Sequence, residues 1–288
     1  MESGRPEPIA YMREQLLPAV TRAVKANDGL DTFYYGNFLR DEGGEGMGWI
    51  TYTHHPRFGG NYRGLTNRLD LLLETYSYIS YFERVRTTYA FLRETLGFVA
   101  ANGAEIVALV NASIRPPEQV AVRYTLEAWP NRTVEVLTRE PYTLEGAPVS
   151  AQVPYIGRFV PEHIVTRPLA YAVPEAIAKK LEGHGLTIER PANRPVLDAE
   201  IARVRGRDTE AGRQILEAAA SSHLEADYAH ATRPLPEGWA LVRTEQQYGA
   251  IAVYLCEAES DDGLVACGWI PEPAVGEEFP AWRVRADF

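Results

Sequence analysis

The chain has 288 residues, of which 45% are apolar and 10% aromatic, so it can build a hydrophobic core and is not disordered by composition. Its net charge of -10 argues against a nucleic-acid-binding surface, which needs clustered Lys and Arg. The sequence contains no run of about 18 apolar residues that could span a membrane, and its polar first residues do not resemble a signal peptide. These features predict a globular chain of one large or two moderate domains and leave its compartment open.

Helical patterns dominate the first hundred residues. Apolar residues recur at helical spacing from Ile9 to Lys25, where Pro18 should kink or end the helix. A second apolar stripe predicts another helix from Glu83 to Ala101, packed back on a sheet. Short strands are expected at 32–35 and 49–53, with a mobile, glycine-rich loop between them.

A distinctive stretch lies between the second strand and the second helix. It reads Pro-Arg-Phe-Gly-Gly-Asn-Tyr-Arg-Gly-Leu-Thr-Asn-Arg from Pro56 to Arg68 and continues through an apolar run to Glu74. This pattern predicts a polar loop followed by a short buried strand that ends in a carboxylate. Ligands of open α/β sheets bind at the carboxyl ends of strands, and a poorly solvated carboxylate suits a general base. The other interpretation of Glu74 is a buried ion pair with an arginine of the loop.

The stretch resembles the C-terminal part of a zinc metallocarboxypeptidase domain of the carboxypeptidase A type, in its larger bacterial relatives. Those proteins carry a similar Pro-Arg-Phe-Gly-x-Asn-Tyr-x-Gly-Leu-x-Asn-Arg-Leu, followed by Leu-x-Glu-x-Tyr-Ser-Tyr. The resemblance implies that Glu74 matches the glutamate that activates the zinc-bound water, and that the substrate is a peptide. Weaker matches at 157–159, 167–171 and 259–264 resemble the appended C-terminal region of the same relatives.

Polar residues of the loop are candidates for holding the carboxylate or a carbonyl of a peptide. Arginine is suited to bidentate recognition of a carboxylate. Among the candidates, the resemblance favours Arg57, Asn61 and Tyr62. The candidates for substrate binding are Arg57, Asn61, Tyr62 and Arg68. The alternative for the arginines is structural, with Arg63 or Arg68 paired to a local acid such as Asp70.

Two adjacent histidines precede the loop. His54 and His55 face opposite ways if the backbone is extended, so at most one of them can point into a cleft. That histidine contacts substrate in one interpretation, and in the other both are packed or solvated imidazoles.

The zinc ligands implied by the resemblance are not found in this chain. The family binds zinc through His-x-x-Glu and a distant third His, all preceding this stretch, and none of the six histidines here has Glu three residues later. We therefore expect zinc as the cofactor of the family, but neither zinc ligands nor peptide hydrolysis in this chain alone. His223, Asp227 and His230 fall at helical spacings of four and three, which suits either a metal site or a solvated helix face.

From residue 105 the pattern becomes richer in strands. Alternating segments at 120–126 and 133–137 predict strands joined by hairpins, and 169–189 predicts a strand, a helix and a further strand. The segment 208–231 should be partly helical. The apolar, β-branched run Gly249–Cys256 predicts a core strand.

Taken together, the predicted fold class is α/β. Residues 1–104 form the C-terminal portion of a carboxypeptidase-like mixed-sheet domain, and residues 105–288 form a smaller, strand-rich α+β region. The function implied by the resemblance is that of a zinc-dependent metallocarboxypeptidase with Glu74 as general base. The alternative is a non-catalytic relative that binds peptide or carbohydrate. Cys256 and Cys267 either form a disulfide or remain two buried thiols, and the oligomeric state stays open.

Overall fold

The computed structural model describes residues 4–40, 47–140, 145–208 and 223–287. Its helices are α1 (Pro6–Tyr11), a π-helical turn (Met12–Leu16), α2 (Leu17–Asp28), α3 (Gly59–Leu65), α4 (Tyr81–Ala101), α5 (Gly103–Ala112), α6 (Glu175–Gly183) and α7 (Gly249–Cys256). Its strands are β1 (Gly36–Arg40), β2 (Met47–Thr51), β3 (Gln119–Glu140), β4 (Ala147–Thr166), β5 (Ala170–Pro174), β6 (Val196–Asp208), β7 (His223–Pro234), β8 (Trp239–Arg243) and β9 (Glu278–Val284).

Two sheets organise these strands. Sheet A has the order β1-β2-β4-β3 and is mixed, because β2 runs parallel to β4 while the other pairs are antiparallel. Sheet B has the order β7-β6-β9-β5-β8 and is antiparallel throughout. The fold class is therefore α/β, as the sequence predicts.

The helix predicted near the N-terminus is confirmed, and its interruption has a local cause. Proline has no backbone N–H, so Pro18 breaks the regular hydrogen-bond pattern, and the π-helical turn lies directly before it. The helix ends at Gly29, whose φ of 71° is the left-handed conformation common at helix C-termini. Its buried face packs against α4 and α5 through Tyr11, Leu16, Val20 and Val24.

The predicted helix at 83–101 is also confirmed, as α4. Ser80 caps it, because its hydroxyl accepts a hydrogen bond from the Glu83 amide while the Glu83 carboxylate accepts one from the Ser80 amide. The predicted apolar stripe does not pack on a sheet, however, since α4 packs on α2 through Phe91 and Phe98 instead. The exposed stripe comprises Val85, Tyr89, Leu92, Leu96 and Val99.

Within the described ranges, no single helix is both long and apolar enough to cross a membrane. The pair α4 and α5, bent by 77°, reaches that length and composition only when the two are taken together.

Four sequence predictions about local structure are wrong. The run 69–74 forms no strand, and Leu72 within it is 84% exposed. The residues 32–35 precede β1 without belonging to it, and 186–189 contributes one isolated bridge, from Glu189 to Leu241. The run Gly249–Cys256 is the buried helix α7 and not a strand, because a short apolar run without periodicity suits either element.

Other predictions of local structure are confirmed in part, or concern segments that lie partly outside the described ranges. The strand predicted at 49–53 is β2, shifted by two residues. The segments 120–126 and 133–137 are extended as predicted, but the hairpin between them is wrong, because both belong to the single long strand β3. Most of the loop expected at 41–48 lies outside the described residues, which do not include 41–46. Of the helical segment expected at 208–231, residues 209–222 also lie outside them. Cys256 and Cys267 are both free thiols.

A buried ion pair joins the end of α7 to sheet B. Glu257 is 1% exposed and accepts a hydrogen bond of 2.8 Å from Nε of Arg283 on β9. The hydroxyls of Tyr171 and Tyr228 also donate to Glu257, and the Arg283 guanidinium lies 3.7 Å from the centroid of the Tyr228 ring. Because the carboxylate accepts hydrogen bonds from three residues, the cost of burying it is offset.

Breaking this pair should destabilise the protein strongly. Glu257→Gln would leave the Arg283 charge buried with only Glu200 near it, which we expect to cost about 3 kcal/mol of unfolding free energy. The matched control is Glu278→Gln, since Glu278 pairs with the exposed Arg203 and Arg233 and should contribute less than about 1 kcal/mol. Urea unfolding of both variants measures the difference, and equal losses would contradict it.

Gly249 begins α7 at a point of close backbone approach. A Cβ at this position would lie 1.7 Å from the Thr244 carbonyl oxygen, so Gly249→Ala must displace backbone and should cost about 1–3 kcal/mol or more. Gly97, exposed within α4, has no atom within 4 Å of such a Cβ, and Gly97→Ala should stabilise by about 0.5–1 kcal/mol. Thermal unfolding of the two variants should therefore shift in opposite directions, and a shared direction would refute this explanation.

Candidate functional site

Two consecutive carboxylates occupy the innermost part of the site. Asp261 and Asp262 lie in the turns that follow α7, and each is 2% exposed. The amide of Asp261 donates a 3.1 Å hydrogen bond to the Val122 carbonyl, which fixes this turn against β3. Both carboxylates therefore need polar partners in the interior, and the loop after β2 supplies them.

His54 is the partner of Asp261. Its Nε2 lies 2.6 Å from Oδ2 of Asp261, whose Oδ1 accepts a 2.6 Å hydrogen bond from the Tyr254 hydroxyl. Burial pushes the pKa of Asp261 upward, but the hydrogen bond and charge of His54 and the nearby His55 outweigh burial. The net effect is a pKa below the ordinary value, so the carboxylate stays ionised near neutral pH.

His55 lies beside His54 and is equally buried. The two ring centroids are 4.5 Å apart, and the His55 Nδ1 lies 2.8 Å from the Thr53 hydroxyl oxygen. Burial lowers the pKa of His55, and the opposing attraction of Asp261 does not compensate. Its Nε2 is buried and has no hydrogen-bond partner in the part of the chain that the structure describes. The expectation that the two rings face opposite ways was wrong, because β2 ends at Thr51 and both histidines lie beyond its regular extended backbone.

Arg57 is the partner of Asp262. Its Nε donates to Oδ1 at 2.7 Å and its backbone amide donates to Oδ2 at 2.9 Å. The Asp262 carboxylate therefore accepts two hydrogen bonds from Arg57. The Asp262 side chain is almost fully buried. Arg57, predicted to bind substrate, is therefore held in a structural ion pair that fastens the loop to the C-terminal part of the chain.

The other predicted substrate-binding residues are Asn61, Tyr62 and Arg68, and the first two are held by hydrogen bonds within the chain. The Asn61 amide donates to the carbonyls of Thr53 and His55, at 2.8 and 3.2 Å, and closes the loop. The Tyr62 hydroxyl lies 2.8 Å from Nδ1 of His184 and so packs toward α6. Arg68 is half-buried and forms no ion pair within the described ranges.

A cavity of about 260 Å³ opens beside this loop. His54, Asn61 and Arg68 contribute to one side of it, and residues of α1, the π-helical turn and α2 contribute to another. The remaining wall is aromatic and comes from sheet A and the segment before it, with Tyr34, Trp129 and Tyr155.

A break in β3 shapes the aromatic wall. The pairing of β3 with β4 shifts register between Ala128 and Thr133, and Asn131 within this interval has a φ of 55°. Asparagine tolerates this left-handed conformation better than most residues. The break places the Arg132 guanidinium 5.3 Å from the ring centroids of Tyr34 and Tyr155. The wall therefore carries a cation on its aromatic surface.

Glu74 lies outside this arrangement. It is exposed in the irregular segment between α3 and α4, and it is not among the residues that line the cavity. The prediction of a buried strand ending at Glu74 is therefore wrong, and the burial that would suit a general base is missing. The run Leu71–Leu73 fails as a buried strand because its side chains alternate toward solvent, with no neighbouring strand to pair with.

The second predicted metal candidate is also not assembled. His223, Asp227 and His230 lie on strand β7, not on a helix, so side chains four apart share a face and those three apart do not. His223 is buried while His230 is exposed.

The structure instead brings the two histidines together with Asp261, a residue that sequence reasoning missed. His54, His55 and Asp261 place possible ligand atoms within 4.8 Å of one another. Asp261 lies in the segment 259–264, which the sequence singles out only as a weaker match of the resemblance, and nothing in a single sequence links it to His54, 207 positions away.

Comparisons with protein-family models, with curated proteins and with solved structures find no match to this chain. The function must therefore be argued from the geometry of the site.

The contact between Tyr62 and His184 generates a prediction about pH. Burial lowers the pKa of His184 below its ordinary value of 6.5, so the unfolded chain takes up the proton first as the pH falls. His184 therefore reduces stability below pH 6.5 and has no such effect above it. Replacing it by glutamine, which can still hydrogen-bond to the Tyr62 hydroxyl, removes this penalty.

Denaturant unfolding at pH 8 and pH 5.5 tests this contribution. We expect the stability of the wild type relative to His184→Gln to decrease as the pH falls. A difference that stays constant, or grows, between these two pH values would show that the environment of His184 does not disfavour its charge.

Proposed function

We propose that this chain is a non-catalytic relative of the zinc metallocarboxypeptidases and that its cavity binds the carboxylate end of a peptide. The proposal rests on one observation above all, the excess of cations in the cavity of an acidic chain. Arg13, Arg68 and Arg132 line the cavity against a single described carboxylate, that of Asp70.

The arginines differ in their availability. Asp70 lies 3.7 Å from Nε of Arg63, so a neighbouring arginine partly neutralises it. Arg68 and Arg132 form no ion pair within the described ranges, and Arg132 contacts aromatic rings instead. Guanidinium groups bind carboxylates through paired hydrogen bonds, and they do so more strongly when the site is partly shielded from water.

The size and surface of the cavity fit a chain end better than a long segment. A volume of about 260 Å³ holds roughly one terminal residue, since pockets for drug-sized ligands start near 300 Å³. The rings of Tyr34, Trp129 and Tyr155 offer apolar faces for its side chain. A carbohydrate could stack on the same rings, but the arginines favour an anionic group.

Hydrolysis with Glu74 as base is not supported by this geometry. Such a reaction needs a base beside a metal-bound water, and Glu74 is exposed and outside the cavity. The ligand set that the described residues assemble includes two histidines and Asp261 but not Glu74. The residues therefore do not fit the zinc site that the resemblance implies, and we assign Glu74 no chemical step.

Binding of peptides with and without a free carboxylate tests the proposal. In the presence of a metal chelator, calorimetry should show that N-acetyl dipeptides ending in Phe or Leu bind, and that their C-terminal amides bind at least tenfold more weakly. Arg68→Gln should weaken binding of the free acids by roughly ten- to hundredfold, the usual worth of a charge-assisted hydrogen bond.

The matched control is Arg115→Gln. Arg115 is exposed and pairs with Glu245 away from the cavity, so its replacement should leave binding unchanged. Equal affinity for acids and amides, or equal effects of the two variants, would refute the proposal. Peptide hydrolysis that is abolished by Glu74→Gln would refute its non-catalytic part.

A further inference from the structure

The cluster of His54, His55 and Asp261 is not explained by carboxylate binding. All three side chains are at least nine-tenths buried, at 5%, 5% and 2% exposure. Each offers one donor atom, and these atoms lie within 4.8 Å of one another. Two neutral imidazoles and a carboxylate are the donor types that divalent transition metals bind in proteins.

His55 supplies an independent sign that a ligand is missing. Its Nε2 is buried and has no hydrogen-bond partner among the described residues, and an unpaired buried polar atom costs free energy in a folded protein. Its Nδ1 is taken by the Thr53 hydroxyl at 2.8 Å, which orients the ring. Histidines that bind metals usually hold the other ring nitrogen in such a hydrogen bond, and Nε2 is the atom left over.

Asp261 is positioned in the same manner. The Tyr254 hydroxyl holds its Oδ1 at 2.6 Å, and the Tyr124 amide approaches its Oδ2 at 3.3 Å. The carboxylate is thereby fixed in orientation while Oδ2 faces His54. Outer hydrogen bonds of this kind fix the first ligands of a metal and raise its affinity.

The distance between His54 and Asp261 requires only a small change, and the His55 ligand atom lies within 4.8 Å of both. Bonds of about 2.0–2.2 Å to a tetrahedral ion place ligand atoms about 3.3 Å apart. Nε2 of His54 and Oδ2 of Asp261, now 2.6 Å apart, would separate by less than about 1 Å as the ion replaces the hydrogen between them. The neighbouring Arg57 charge is already balanced by Asp262.

We propose that His54, His55 and Asp261 bind one divalent transition-metal ion of the zinc class. His54 also lines the cavity, so the proposed ion would lie at the wall of the space where a ligand would enter. Calcium and magnesium are disfavoured, because they prefer six or more oxygen ligands. This proposal does not depend on carboxylate binding by Arg68.

Cobalt binding to the full chain is the direct test. After removal of metals, one equivalent of Co²⁺ should bind per chain, give the intense visible bands of a four-coordinate site without a sulfur-to-cobalt band, and be displaced by Zn²⁺. Asp261→Asn and His55→Gln should each weaken Co²⁺ binding at least tenfold. His230→Gln, a change at an exposed histidine, should leave binding unchanged.

Two further readouts keep the test decisive. If either ligand variant fails to fold, nitrogen NMR of the labelled wild type replaces it, and Zn²⁺ should shift the ring nitrogens of two histidines. A sulfur-to-cobalt band that disappears in Cys267→Ser would place the ion on a thiol and overturn the proposal. So would the absence of stoichiometric binding, or a loss of binding in His230→Gln equal to that in the ligand variants.

Discussion

Burial of two consecutive carboxylates is the constraint on which the rest of this site depends. Asp261 and Asp262 lie in the interior, where an unpartnered charge costs several kcal/mol. His54 and Arg57 meet that requirement from the opposite part of the chain. These contacts fix the loop that carries His54 and Arg57, and they therefore also fix the wall of the cavity that this loop forms.

Sheet A supplies the facing wall, and its mixed topology matters for that role. The short parallel pairing of β2 with β4 sets Trp49 opposite Tyr155, so the histidine loop leaves β2 beside the aromatic residues. Gly157 allows this packing, since a Cβ there would lie 2.3 Å from the Tyr155 ring. The cavity thus joins a polar loop fixed by buried acids to an aromatic surface fixed by strand register.

Much of the local structure could be predicted from the sequence, because its signals are local. The helices at 9–25 and 83–101 followed from apolar periodicity, and the strand character of 120–126 and 133–137 followed from alternation, although the two segments form one strand and not a hairpin. The buried helix α7 could not be distinguished from a strand, because a run that is apolar on every side carries no periodicity. The strand predicted before Glu74 is wrong for a related reason, since apolar composition alone does not show whether a partner strand exists.

The site was only partly predictable. Asn61 and Arg68 were singled out from the loop and do line the cavity, while Arg57 and Tyr62 make structural contacts instead. Asp261 was singled out only within a weaker match of the resemblance. Its role arises from a contact across 207 residues, and no rule of spacing or periodicity in one sequence reports such a contact.

That separation also bears on the order in which the molecule can form. Closing so long a loop costs more chain entropy than forming α2 or the hairpin of β3 and β4, whose contacts are local. During synthesis His54 and Arg57 emerge first and have no acid to meet until nearly the whole chain has been made. The polar wall of the cavity is accordingly among the last parts of the molecule to become native, long after the helices that flank it.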